Sequence, residues 1–135
     1  MNNKTERLNQ KQTGYKVNSY PYPTKRYVQI LDLKNDPLLI EEYKKRHSKE
    51  HYWPEIGEGI RSVGILEMDI FICNERLVMV VETPLDFDWS TAFKKLATLP
   101  RQSEWEEYMS VFQKASATAT SSEKWQLMEK MFELP

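Results

Sequence analysis

Two apolar, β-branched runs, residues 65–73 (ILEMDIFIC) and 77–82 (LVMVVE), flank only Asn74, Glu75 and Arg76. Runs of this kind joined by so short a connection form an antiparallel hairpin. Val78, Met79, Val80 and Val81 leave no polar side chain on either face of the second strand, so its sheet has to be covered on both sides. A chain of 135 residues has helices for one such cover and no second layer to spare. A second copy, pairing two sheets face to face as a homodimer, is the expected other cover. In the first strand, the period of two sets Glu67, Asp69 and Phe71 on one face and Leu66, Met68, Ile70 and Ile72 on the other.

The rest of the chain builds around this hairpin. Residues 1–25 are rich in Asn, Gln and Lys and end in Tyr15, Tyr20, Pro21, Tyr22 and Pro23. They are expected to form an arm whose tyrosines pack on the domain, residues 26–135, or on a neighbouring subunit. Residues 26–33 (RYVQILDL) alternate as a strand does. Asp36 and Pro37 supply an N-cap and a first-turn proline, and Leu39, Tyr43 and His47 then recur every four residues along a helix expected to end near Ser48. Pro54 opens a second helical piece that Gly64 closes. Beyond the hairpin, one helix carries Trp89, Phe93, Leu96 and Ala97, and Pro100 divides it from another with Trp105, Tyr108, Met109 and Phe112. Residues 115–122 (ASATATSS) read as a loop and 128–134 as a last strand, although periodicity alone does not separate strand from helix there. The order β, α, β, β, α, β predicts an α+β, ferredoxin-like antiparallel sheet with helices on one face.

Several function classes are excluded early. Nineteen Lys and Arg against 20 Asp and Glu give a net charge of −1, so no global positive field draws nucleic acid or an anionic membrane. The four glycines fit no nucleotide phosphate loop or dinucleotide fingerprint, and no G-x-S-x-G elbow occurs. One cysteine and two histidines leave no disulfide and no zinc cluster, which suits a reducing, cytoplasmic location; Cys73 itself reads as an inert, packed thiol. The polar start of the chain and the lack of 18 consecutive apolar residues predict neither a signal peptide nor a membrane span.

Chemistry can reside in a few places. Tyr43 and His47, at i and i+4, share a helix face and can touch one ligand, and an imidazole gives and takes protons near neutrality. The same pair fits equally the buried stripe of an amphipathic helix. His51, Trp53, Pro54 and Glu55 form a cluster able to stack on a sugar ring or to plug a loop. Asp69 and Glu67 can partner His47 or grip a hydroxyl if their face is enclosed; facing water, they only solvate. Trp105 lies on a stripe that suits a core as well as a ligand platform.

Taken together, the run EEYKKRH (residues 41–47), Trp53, Pro54 and Glu55, the hairpin after Gly64, WEEYM (residues 105–109) and the closing Leu134 and Pro135 resemble the L-rhamnose mutarotase family over residues 26–135. The resemblance implies a dimeric α/β barrel of facing ferredoxin-like sheets, no cofactor, and interconversion of the α and β anomers of a 6-deoxy hexose such as L-rhamnose or L-fucose. It implies that His47 is the catalytic proton donor, that Tyr43 contacts the sugar one turn earlier, and that Trp105 is the first of two tryptophans at the sugar site. The second of these is Glu106 here, and a strand tyrosine of the family falls at Met68. Neighbouring Asp69 completes the expected substrate contacts. A non-catalytic ligand-binding or regulatory module on the same dimeric fold is the alternative, since a fold does not fix a function; a cofactor-free monooxygenase is a third reading.

Overall fold

The computed structural model describes residues 13–114 and 121–135. A four-stranded antiparallel sheet is formed by β1 (Thr24–Asp32), β2 (Glu67–Cys73), β3 (Arg76–Pro84) and β4 (Gln126–Leu127), in the order β2-β3-β1-β4. Helices α1 (Pro37–Arg46) and α2 (Pro54–Ser62) connect β1 to β2; α3 (Trp89–Leu96), α4 (Gln102–Ser110) and the single turn α5 (Ser121–Lys124) connect β3 to β4. This is the ferredoxin-like arrangement expected from the order of the elements.

Local chemistry sets the element ends. The Asp36 carboxylate accepts from the backbone N–H groups of Leu38 and Leu39, and Lys44, Lys45 and Arg46 occupy the last turn of α1, where cations complement the helix dipole. Asp88 caps α3 through the Thr91 N–H in the same way. The hairpin turn is tighter than expected: Arg76 already pairs with Cys73, so two residues make the loop, and Asn74 takes the left-handed conformation (φ 56°) that asparagine tolerates.

The two faces of the sheet differ. Leu31, Leu77, Met79 and Val81 are buried against a helical layer contributing Tyr43, Ile56, Phe93, Leu96, Trp105 and Met109. Val28, Ile30, Val78 and Val80 alternate with that set on the opposite face and remain half-buried, and Phe71 there is exposed. The arm approaches this second face. Tyr15 meets the Phe71 ring edge-on at 5.3 Å, and Tyr20 and Asn18 both donate to the Glu67 carboxylate. Tyr22, 45 % exposed, packs beside Tyr20, with ring centroids 5.8 Å apart.

Three expectations are corrected. The last strand is not 128–134 but Gln126–Leu127, which pairs with Ile30 and Gln29; after the Met128 N–H donates to the Val28 carbonyl, the chain leaves the sheet, and Met131, Phe132 and Leu134 are exposed. Cys73 is exposed, because β2 is an edge strand and the cysteine sits at its end on the face away from the helices. The end of the expected 115–122 loop is helical at Ser121; residues 115–120 of that stretch lie outside the described residues.

Candidate active site

The last turn of α1 carries the central pair. The Tyr43 and His47 rings lie 4.3 Å apart, and His47 is the C-cap residue of the helix. Its Nδ1 is 2.8 Å from the Tyr43 carbonyl oxygen, which can only accept, so Nδ1 carries a proton and Nε2 is the nitrogen left for chemistry. Trp105, from α4, meets the imidazole edge-on at 5.4 Å. Trp53 packs against Trp105 at 5.1 Å, stacks on Tyr108 and is covered by the Arg101 guanidinium at 3.7 Å, so it serves as a plug holding Trp105 in place.

Two adjoining spaces open beside this pair. The outer cavity has a volume of about 380 Å³ and is walled by His47, Ile60, Arg61, Met68, Asp69 and Trp105, together with Tyr52, Ile56 and Glu67. Such a size, with mostly apolar walls and a few polar groups, is that of a small-molecule site. The inner recess, about 60 Å³, is bounded by Tyr43, His47, Met68, Trp105, Glu106 and Gln113 among others. His47, Met68 and Trp105 belong to both spaces. His47 is an exposed residue, so the imidazole keeps accessible surface on the cavity side, while the protein beside it still disfavours its charged form.

Burial tunes the titratable groups. It lowers the His47 pKa below the usual imidazole value, against an opposing effect of the hydrogen bond to the Tyr43 carbonyl. It pushes the Tyr43 phenol up to about 12, opposed by the amide of Gln113, so this hydroxyl stays neutral and acts through hydrogen bonds. The Glu106 carboxyl is raised by burial, with Lys124 pulling it back.

Of the residues expected from sequence, His47, Tyr43, Trp105, Met68 and Glu106 converge on these spaces; Asp69 and Glu67 border the outer cavity only at the edge of β2, because their pairing with Val80 and Glu82 turns both side chains to the sheet face away from the helices. His51 does not belong to the cavity wall; it is exposed and hydrogen-bonded to Ser48. Three contributors went unread. Gln113 is buried with its Oε1 unpartnered among the described residues, and Lys124 is wholly buried behind Glu106. Arg61 reaches the cavity from α2, whose Ile56 and Ile60, four residues apart, were the available signal.

The chain also matches known proteins. The family model for L-rhamnose mutarotase matches residues 26–134. The chain is 39 % identical over 114 residues to a UPF0734 protein of Dictyostelium discoideum, covering 82 % of this chain and 90 % of that one. It is 35 % identical over 105 residues to an L-fucose mutarotase of Xanthomonas campestris pv. campestris, covering 78 % and 84 %. The crystal structure of an L-rhamnose mutarotase from Formosa agariphila superposes with a TM-score of 0.60 at 19 % identity, over 82 % of this chain and 99 % of that one, and so shares the fold. With the fold, the paired Tyr43 and His47, and a family match spanning the whole domain, the chain belongs to the L-rhamnose mutarotase family of enzymes acting on sugars.

Proposed function

We propose that the protein interconverts the α and β anomers of a 6-deoxy hexose, L-rhamnose or L-fucose, by acid–base opening and reclosure of the pyranose ring. The observation that carries this reading is the His47 ring, fixed through Nδ1 with Nε2 available, at the junction of a cavity large enough for a monosaccharide. His47 donates a proton to the ring oxygen, Tyr43 orients the sugar, and Trp105 packs against its apolar face. Met68 and Glu106 complete the substrate contacts.

The reaction needs only proton transfers and positioning. One well-placed acid–base group supplies roughly 10²- to 10⁴-fold in rate, about 3 to 5.5 kcal/mol of barrier, and holding the acyclic aldehyde beside its own hydroxyl supplies more. Burial makes the His47 imidazolium a stronger acid but a rarer one at neutral pH. L-fucose is a natural candidate because one relative is named for that sugar.

The reading includes assembly and place. The half-buried Val28, Ile30, Val78 and Val80 suit a homodimer of facing sheets in the cytoplasm, acting on a free monosaccharide without a cofactor. Among the described residues no helix is long and apolar enough to cross a membrane.

The test is polarimetry. Catalytic amounts of protein added to a freshly dissolved single anomer of L-rhamnose or L-fucose are expected to bring optical rotation to equilibrium faster than buffer, and His47→Ala to abolish most of the gain. Equilibration at the buffer rate across a panel of deoxy sugars would remove the reading; undiminished acceleration by His47→Ala would remove the role of that residue.

A further inference from the structure

Ring opening moves two protons, and one imidazole accounts for only one of them. We propose that Glu106 is the second catalytic residue of the site, accepting the proton of the anomeric hydroxyl while His47 delivers one to the ring oxygen, and that Lys124 is the positioning residue that holds it there. This rests on the mutarotase reading and names the partner that His47 lacks in it.

The geometry assigns Glu106 this place in three ways. It bounds the same recess as Tyr43, His47 and Trp105, and lies close enough to Tyr43 for its charge to raise the phenol's pKa. Its Oε2 accepts from Lys124 Nζ at 3.2 Å, which leaves the other carboxylate oxygen for a ligand. The Lys124 side chain is wholly buried, and its three donors are matched by Glu106 Oε2, the Glu106 carbonyl at 2.8 Å and Ser110 Oγ at 3.0 Å. A wholly buried ammonium beside a carboxylate that is itself 29 % exposed costs desolvation that an apolar pair of equal volume avoids. As filler for the recess they gain nothing; as a fixed proton acceptor they gain a defined position and a tuned acidity.

The steps balance. The bond between the anomeric carbon and the ring oxygen breaks with its electron pair on that oxygen, which takes the proton from His47 Nε2. The anomeric hydroxyl passes its proton to Glu106 and becomes the aldehyde oxygen. After rotation of the aldehyde, the same transfers run backwards on its other face, and both residues return to their starting states.

The groups facing this pair set its pH dependence. Glu106 faces Lys124 of α5 and Tyr43 of α1; across the outer cavity His47 faces Arg61 of α2, whereas the Glu67 and Asp69 side chains of β2 lie on the far face of the sheet, paired with Glu82 and Val80. Glu106 works ionised and His47 protonated, so activity falls on the acid side as the carboxylate is protonated and on the alkaline side as the imidazole loses its proton. Burial raises the first group and lowers the second, which draws the two limbs together into a narrow bell whose apparent pKa values belong to the pair.

The experiment measures kcat and KM for anomer exchange against pH. Glu106→Gln is expected to lower kcat by roughly 10²- to 10⁴-fold with little change in KM and to erase the acid limb, while Glu106→Asp keeps that limb at reduced kcat. Lys124→Met, by removing the charge that favours the carboxylate, is expected to move the acid limb to higher pH, and Lys124→Arg to leave it in place. A Glu106→Gln enzyme with kcat within about threefold of wild type, or an acid limb unmoved in Lys124→Met, would overturn the assignment even if the wild type is a mutarotase. A wild-type chain that accelerates no anomer exchange fails at the earlier step, the reaction itself. Should Lys124→Met not fold, the Glu106→Gln and Glu106→Asp pair decides alone.

Discussion

Tyr43 shows how far a single side chain can be argued. Its hydroxyl is met by the Gln113 amide nitrogen at 3.4 Å, and the other end of that buried amide has no partner among the described residues. Tyr43→Phe therefore leaves both ends of a buried amide unsatisfied, and is expected to cost about 1–2 kcal/mol of stability, read as a lower urea midpoint at constant m-value. Because the phenol titrates near 12, the limbs of a pH–rate profile between 4 and 9 are expected to stay where they are in this variant. A limb that moved would mean that Tyr43 itself gives up a proton in that range. The Tyr43 and His47 pair was legible in the sequence because both members lie one turn apart on one helix. Gln113 and Lys124 were not: each reaches its partner across at least 18 residues, through sheet pairing and helix packing that no local spacing encodes.

The elements were read from their punctuation, and the same punctuation predicts what breaks them. Asp36 with Pro37, Pro54 and Pro100 placed three helix starts, because caps and prolines act within a turn or two of themselves. The two-residue strand β4 escaped, since its pairing with Gln29 and Ile30 depends on where α5 delivers the chain. Gly64 stands at φ +102°, a backbone conformation that an L side chain adopts only with strain, so Gly64→Ala is expected to destabilise by about 1 kcal/mol or more. Gly59 is a matter of space. A Cβ there would lie 2.4 Å from the Gln102 amide nitrogen, which donates to the Ile56 carbonyl and so joins α4 to α2. Gly59→Ala must push Gln102 off that carbonyl, and a loss of about 1–3 kcal/mol is expected in chemical denaturation. A Gly59→Ala chain as stable as wild type would show that the α2–α4 contact yields without cost.

At the scale of the whole molecule, the unsolved surface is the sheet face away from the helices. The valine run of β3 announced it, because a strand apolar on both faces needs two covers. Among the described residues only one cover is complete: Met79 and Val81 are buried by the helical layer, whereas Val78 and Val80, with Val28 and Ile30 beside them on β1, stay half-buried, and the arm adds Tyr15 on Phe71 and the Asn18 and Tyr20 bonds to Glu67. Association of two such faces has to bury roughly 1,200–2,000 Å² in total to be stable. The exposed Met131, Phe132 and Leu134 of the last segment are available to add to it. Sedimentation at micromolar concentration is expected to show a dimer of about twice 16.1 kDa. Val80→Glu, which places a carboxylate at the centre of the contact opposite Val28, is expected to yield monomers, because a buried unpaired charge costs several kcal/mol across an interface. The substitution points away from the Tyr43 and His47 face, so the helical circular dichroism of that variant should persist. A monomeric wild type would mean that the arm, and not a second copy, is what this face was built to receive.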